Sequence, residues 1–276
     1  MEMIYKSNFL SLTLGLFFLS PLLLKGQTPT PPTWQTVDSI QIPHQSFTFD
    51  RFGFAYIISP TGDLIKLDPN RQKKFTYSNS RLGELTSVDV SNPLAVLCFY
   101  KDYQHVTVLD RTLNLLATLD LADWGLVNVT AVCNSGDNQL WVYDESDMQI
   151  TKIAKDRSTP TRSFPFILDT DDPILLTKMA VHNDYLYGLS EKGNVYHLSL
   201  IGESLQQILP QNQFIDFQFA NDRLLLMDTK GKVFQYVNWL DLNPVSLPFS
   251  LPQNKSWHFQ GKQFFYGDGK TIWVLH

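Results

Sequence analysis

Two cysteines, Cys98 and Cys133, are the entire thiol supply of this 276-residue chain. A disulfide framework and a thiolate zinc site are both excluded as organising principles by so small a number. Charge is scarce too: 18% of residues are Asp, Glu, Lys or Arg, and the formal net charge is −5. The only compact basic run is Arg71-Gln-Lys-Lys74, so there is no electrostatic footprint for nucleic acid. No G-x-S-x-G elbow, phosphate-binding loop or dinucleotide glycine pattern occurs. His44, His105, His182 and His197 fall in separate segments, none at H-x-x-x-H spacing. These absences exclude enzymes built on one compact motif. They do not exclude a site assembled from dispersed residues.

Long apolar runs are also missing, with one exception. Phe9 to Leu24 is a mostly apolar run of 16 residues, preceded by Lys6 and followed by Lys25-Gly26-Gln27. It is shorter than the roughly 20 residues a spanning helix needs, and its flanks fit a secretory leader over residues 1–26. An uncleaved anchor is the alternative. No Cys follows the run, so lipoprotein acylation is not expected. The chain left after removal of residues 1–26 has 20 basic and 26 acidic residues, a formal charge of −6. Export to the periplasm or cell surface of a bacterium is the expectation, followed by a Pro/Thr-rich spacer over residues 27–33.

What the chain does have is apolar and aromatic residues, 43% and 13%, arranged in a repeat. Tyr185 to Ser199 is its clearest copy: an apolar run, a polar turn with Gly193, and an alternating run. The pattern returns around Thr61-Gly-Asp63, Thr229-Lys-Gly231 and Gly267-Asp-Gly269, and without glycine around Lys101-Asp-Tyr103 and Glu145-Ser-Asp147. The turn centres Gly62, Asp102, Ser146, Lys192, Lys230 and Asp268 lie 40, 44, 46, 38 and 38 residues apart. About 40 residues per four-stranded unit is the period of a β-propeller. Five units are complete; the sixth stops after three strands at His276, and a stray strand over Trp34 to Ile42 supplies the fourth. The expectation is one all-β domain over 34–276, a six-bladed propeller whose last blade is closed by the N-terminal strand. Thr112 to Asp123 is the most helix-like stretch, and it fits an outer strand plus turn equally well.

The units, with Leu140-Trp-Val-Tyr-Asp144 and Tyr185-Leu-Tyr-Gly-Leu189 followed by a polar turn, resemble the broad six-bladed propeller families of the NHL, YVTN and PQQ-repeat kind. The resemblance implies a fold and no site. Trp-Asp dipeptides and the tryptophan-docking pattern of quinoprotein blades are absent, so a quinone cofactor does not carry over.

Site residues are sought where a propeller gathers them, on the innermost strands. Asp89, Lys178, Asp216, Gln218 and His258 occupy the polar side of those strands and are the central-channel candidates. Two readings stand: hydrogen-bonded groups tying blades together, or a channel site in which Asp89, Asp216 and His258 hold a divalent metal or move protons. Asp169, Asp171 and Asp172 form an acidic linker cluster that could offer oxygen ligands to a metal, although Pro173 and Ile174 interrupt the pattern; a solvated turn is the alternative. Tyr103, Trp124 and Trp239 near strand ends are the candidates for an interaction surface. Cys98 and Cys133 sit in apolar strand-like runs and are expected as buried free thiols, with a bridge as the alternative.

The function these features favour is a non-catalytic interaction or scaffold propeller of the bacterial envelope. It would need no cofactor and would engage an envelope protein partner, within an assembly that could be membrane-associated. The alternatives are an exported metal-dependent, lactonase-like hydrolase and a ligand- or carbohydrate-binding propeller.

Overall fold

The computed structural model describes residues 34–154, 160–162, 174–199, 205–208, 213–238, 241–245, 247, 251 and 256–276. The leader over 1–26, the spacer over 27–33, the acidic linker residues Asp169, Asp171 and Asp172, and Trp239 lie outside the described residues.

Strand β1 (Thr36–Gln41) comes first. Blade 1 contains β2 (Ser46–Phe49), β3 (Ala55–Ile58), β4 (Leu64–Leu67) and β5 (Lys73–Tyr77). Blade 2 contains β6 (Ser87–Asp89), β7 (Val96–Tyr100), β8 (His105–Leu109) and β9 (Leu115–Asp120). Blade 3 contains β10 (Val129–Asn134), β11 (Leu140–Asp144), β12 (Gln149–Ile153) and β13 (Thr161–Arg162). Blade 4 contains β14 (Leu176–His182), β15 (Tyr185–Ser190), β16 (Val195–Ser199) and β17 (Leu205–Gln207). Blade 5 contains β18 (Phe214–Ala220), β19 (Arg223–Asp228), β20 (Val233–Asn238) and β21 (Asp241–Pro244). Blade 6 contains β22 (Trp257–Gln260), β23 (Gln263–Gly267) and β24 (Thr271–Leu275), with β1 paired antiparallel to β24 as its outermost strand. Six four-stranded antiparallel sheets, five of them running from inside to outside in chain order and the sixth completed on its outer side by β1, form the six-bladed propeller that the turn spacing predicts.

The core is divided by the seams rather than held in one centre. Each of six apolar clusters lies between two neighbouring blades. Alternation explains this: successive strand residues point to opposite faces of a sheet, and both faces of a blade meet a neighbour. Central strands are therefore buried on both faces, as in β7 and β11, where every residue is buried and only Asp144 at the end of β11 is charged.

The fourth strand of blade 5 is Asp241–Pro244, and Val245 and Leu247 beyond it pack partly against the blade 5–blade 6 core. One sequence expectation needs correction. Trp124 is not a surface residue. It ends a short 3-10 turn (Leu121–Trp124), stopped by Gly125 at φ 70°, and is buried in the core between blades 2 and 3. The helix-like stretch thus resolves into β9 plus this turn. Cys98 and Cys133 are free and buried in different seams, blades 1–2 and 3–4. Burial pushes the Cys98 thiol up to about 12 and the Cys133 thiol well above its ordinary value, the latter helped by Asp89.

Candidate functional site

The innermost strands are linked side chain to main chain from blade to blade. Asp89 of blade 2 accepts the Asn134 N–H of blade 3 at 2.7 Å. Thr130 of blade 3 donates to the Leu176 carbonyl of blade 4 at 2.5 Å. Lys178 of blade 4 donates to the Phe217 carbonyl of blade 5 at 2.7 Å. Gln218 of blade 5 accepts the Phe259 N–H of blade 6 at 3.1 Å. Gln260 of blade 6 donates to the Asp50 carbonyl of blade 1 at 2.8 Å. Each such bond contributes about 1 kcal/mol net, and leaving its buried partner unmet costs more.

The blade 1–blade 2 seam is held differently. Among the described residues no side chain of β2 or β6 bonds across it. Lys66 of β4 is buried instead, its ammonium donating to the Arg111 carbonyl at 2.8 Å and lying 4.6 Å from the Phe54 and Tyr56 rings. Burial pulls its pKa below the ordinary lysine value, against the attraction of Asp50 and Asp110. Above this seam the loops leave an open groove lined by Gln45, Glu84, Leu85, Thr86, Lys101 and Asp102.

The channel candidates divide into two groups. Lys178 and Asp216 form an ion pair at 2.6 Å, with the ammonium 5.2 Å from the Phe217 ring. His258 stands on β22, the innermost strand of the next blade, its ring 5.1 Å from that of Phe49. Burial, and secondarily the Lys178 charge, pull its pKa down to about 3, so the imidazole is neutral at pH 7. The buried Gln218 amide nitrogen meets no partner among the described residues. Asp89 does not join this group: its carboxylate accepts from Asn134 and from the Ser91 N–H at the turn end of β6. Among the described residues, no three His, Cys, Asp or Glu side chains stand close enough to hold one ion. The arrangement that emerges is a girdle, with an ion pair and a neutral imidazole facing each other across blades 4 to 6.

The depressed pKa of His258 has a stability consequence. An imidazole whose pKa falls on folding binds fewer protons in the folded state than in the unfolded one. Stability therefore rises with pH through the window from about 3 to 6.5 and is lost as the solution is acidified through it. His258→Gln is expected to remove a large part of this slope, on the order of 2 kcal/mol between pH 7 and pH 4, measured by urea unfolding at the two pH values.

Of the surface candidates, Tyr103 is exposed, 57% of its area open, with one face of the ring over Gly83. A Cβ at Gly83, where φ is 76°, would lie 2.8 Å from that ring. The largest exposed apolar side chains were not anticipated: Phe52 and Leu94 on the turns after β2 and β6, Val127 before β10, and Leu115 and Leu116 at the start of β9. Leu94 follows the turn residues Asn92-Pro93, and Phe52 sits within its turn, so turn chemistry there was legible while exposure was not.

A six-bladed propeller with this girdle is the class the coordinates define. No family model matches the sequence, and no curated protein matches it. Solved structures do match. A catalytically inactive form of virginiamycin B lyase from Staphylococcus aureus, with quinupristin, matches at TM-score 0.63 and 9% identity, covering 88% of this chain and 99% of that one. The WD40 domain of Neurospora crassa Pan2 matches at TM-score 0.58 and 11% identity, covering 88% and 94%. PorZ, an essential surface component of the type-IX secretion system of Porphyromonas gingivalis, matches at TM-score 0.51 and 10% identity, covering 87% of this chain and 37% of PorZ. At these identities the likeness is one of fold.

Proposed function

We propose that this chain is a non-catalytic interaction propeller of the bacterial cell envelope, carried out of the cytoplasm by a leader over residues 1–26 and seated at the periplasm or cell surface as part of a larger assembly. The observation that carries this reading is the girdle. Asp89, Lys178, Gln218 and Gln260, polar residues of the innermost strands, each bond to the main chain of the next blade. Groups so engaged serve the rigidity of the ring, and a rigid ring presents loops to partners. Tyr103, left in solvent, is a residue type that anchors protein interfaces, and Phe52 and Leu94 add exposed apolar surface of the kind that marks a contact. PorZ, alike in fold, works at a bacterial surface within a secretion system, which supports such a setting. This role requires no cofactor.

The alternative is an exported hydrolase of the lactonase kind with a divalent metal in the channel. It is disfavoured by Asp89, which is turned to Asn134 and away from the Asp216–His258 side. Among the described aromatic candidates, a ligand- or carbohydrate-binding role rests on Tyr103 alone, since Trp124 is buried.

Mild crosslinking in the native host, followed by tagged purification and mass spectrometry, tests the proposal. The expected result is one envelope protein recovered in stoichiometric amount. A chain recovered alone, carrying a bound divalent metal and turning over lactones or esters, would replace the scaffold reading with the hydrolase.

A further inference from the structure

Among the described residues, the outermost strand of each blade has a backbone edge that no further strand pairs, and exposed edges recruit other strands unless something blocks them. Five of the six carry a recognised block. β5 begins with Lys73-Lys74, β13 and β17 are only two and three residues long, and β21 ends in Pro244. β1 holds Asp38 at a register shift. β9 is different. Its sequence, Leu-Leu-Ala-Thr-Leu-Asp, has no proline and no charge before Asp120. Its register shift lies at the start, leaving Ala117–Asp120 in regular pairing with β8. Leu115 and Leu116 are 52% and 57% exposed. Among the described residues no strand pairs with its outer edge.

The charges around β9 say what fits there. Arg111, exposed, lies just ahead of the strand, and Asp120, with about half of its side chain exposed, closes it. A second β9 laid antiparallel would bring the Arg111 end of each copy beside the Asp120 end of the other, and the leucines of each onto the apolar stretch of its twin. An isologous two-fold contact needs this self-complementarity. We propose that β9 is a homodimerisation edge, pairing antiparallel with β9 of a second copy to join two blades 2 into one continuous eight-stranded sheet.

One six-residue strand pair is a small contact, at the low end of specific interfaces, so the dimer is expected to be weak and concentration-dependent. Sedimentation equilibrium of the full chain over a hundredfold range of concentration tests it. Hydrogen exchange at the amides of residues 115–120 is followed alongside. A reversible monomer–dimer equilibrium is expected, with exchange at those amides slowing as dimer forms. Leu116→Lys, at an exposed position that folding does not need, is expected to weaken association at least tenfold. Arg111→Asp and Asp120→Arg should each weaken self-association, while an equimolar mixture of the two variants should restore it, because the mixed pair places opposite charges at both ends.

A wild-type chain that stays monomeric throughout overturns the proposal, and so does a dimer indifferent to Leu116→Lys. A monomer whose β9 amides become protected only with a foreign envelope protein would assign the edge to a different occupant. The test needs no envelope partner, so it stands apart from the scaffold reading.

Discussion

Gly231→Ala is expected to destabilise the domain by roughly 3–5 kcal/mol, among the largest effects a single methyl can produce. Gly231 sits in the turn between β19 and β20 with φ 72°, a conformation an alanine adopts at a cost. Strain alone would account for about 1 kcal/mol. The larger part is steric. A Cβ at this position would lie 1.7 Å from the Leu251 carbonyl oxygen and 2.8 Å from its nitrogen. These are backbone atoms, so no rotamer change relieves the clash. The chain around Leu251 would have to withdraw, giving up the Leu251 N–H bond to the Gly231 carbonyl at 2.9 Å. Leu251 itself is buried in the core between blades 5 and 6, and that packing would go with it. Gly62 is the matched control. It has φ 83° in the equivalent turn of blade 1, yet nothing lies within 4 Å of its would-be Cβ. Gly62→Ala should cost about 1 kcal/mol, the conformational part alone. Urea unfolding of both variants separates the terms; equal losses would mean that the close approach of Leu251 contributes nothing.

The same turns show how far the sequence could be read. Gly62, Gly193, Gly231 and Gly269 have φ between 72° and 94°, and glycine is the residue that marks such a position in a sequence. Asn183-Asp184 and Asn221-Asp222 are equally visible: all four residues have positive φ, as a two-residue hairpin turn between twisted strands demands. In the turns between the second and third strands of blades 2 and 3 the left-handed residues are Gln104 and Met148. Neither type advertises that conformation, which is why those two copies of the repeat look loose. Local chemistry thus set the blade count and the strand order.

Seam chemistry is not local. Lys178 and Asp216 stand 38 residues apart, and Asp89 reaches Asn134 across 45. Period and alternation place such residues on innermost strands but do not say which neighbour each will meet. Asp89 and Asp216 look alike in sequence. One lies near the turn end of its strand and the other near the start of its own, so they serve different bonds. Trp124 shows the reverse failure: its place near a strand end suggested a surface, while the 3-10 turn puts the indole in the core that also holds Leu121 and Leu126.

Deleting residues 34–44 is expected to abolish cooperative folding, an effect comparable with the whole net stability of a domain, about 5–15 kcal/mol. β1 closes the ring along its full length. Gln35 and His276 exchange two main-chain bonds at 3.0 and 3.1 Å, and the Ile42 and His44 N–H groups reach the Lys270 and Gly269 carbonyls at 3.0 Å. His44 then locks the end. Its Nδ1 donates to the Ile42 carbonyl at 2.8 Å and its Nε2 accepts from the Gly269 N–H at 3.2 Å, which fixes one neutral tautomer. The ring lies so close to Gly267 that a Cβ there would stand 2.1 Å from Nε2. Without this segment β24 becomes a bare edge, and Ile40 no longer covers the blade 6–blade 1 core that contains Ile272 and Val274. A loss of sequence and a loss of closure can be told apart by moving the strand. A chain beginning at Gln45, with residues 34–44 appended after His276 through a short flexible linker, restores every closing hydrogen bond and cuts only the peptide link between His44 and Gln45. That permuted chain should unfold in one cooperative transition, whereas the truncated chain should show none. A truncated chain as stable as the intact one would mean that five blades and three strands hold the ring without the N-terminal strand, and the closure argument would fail.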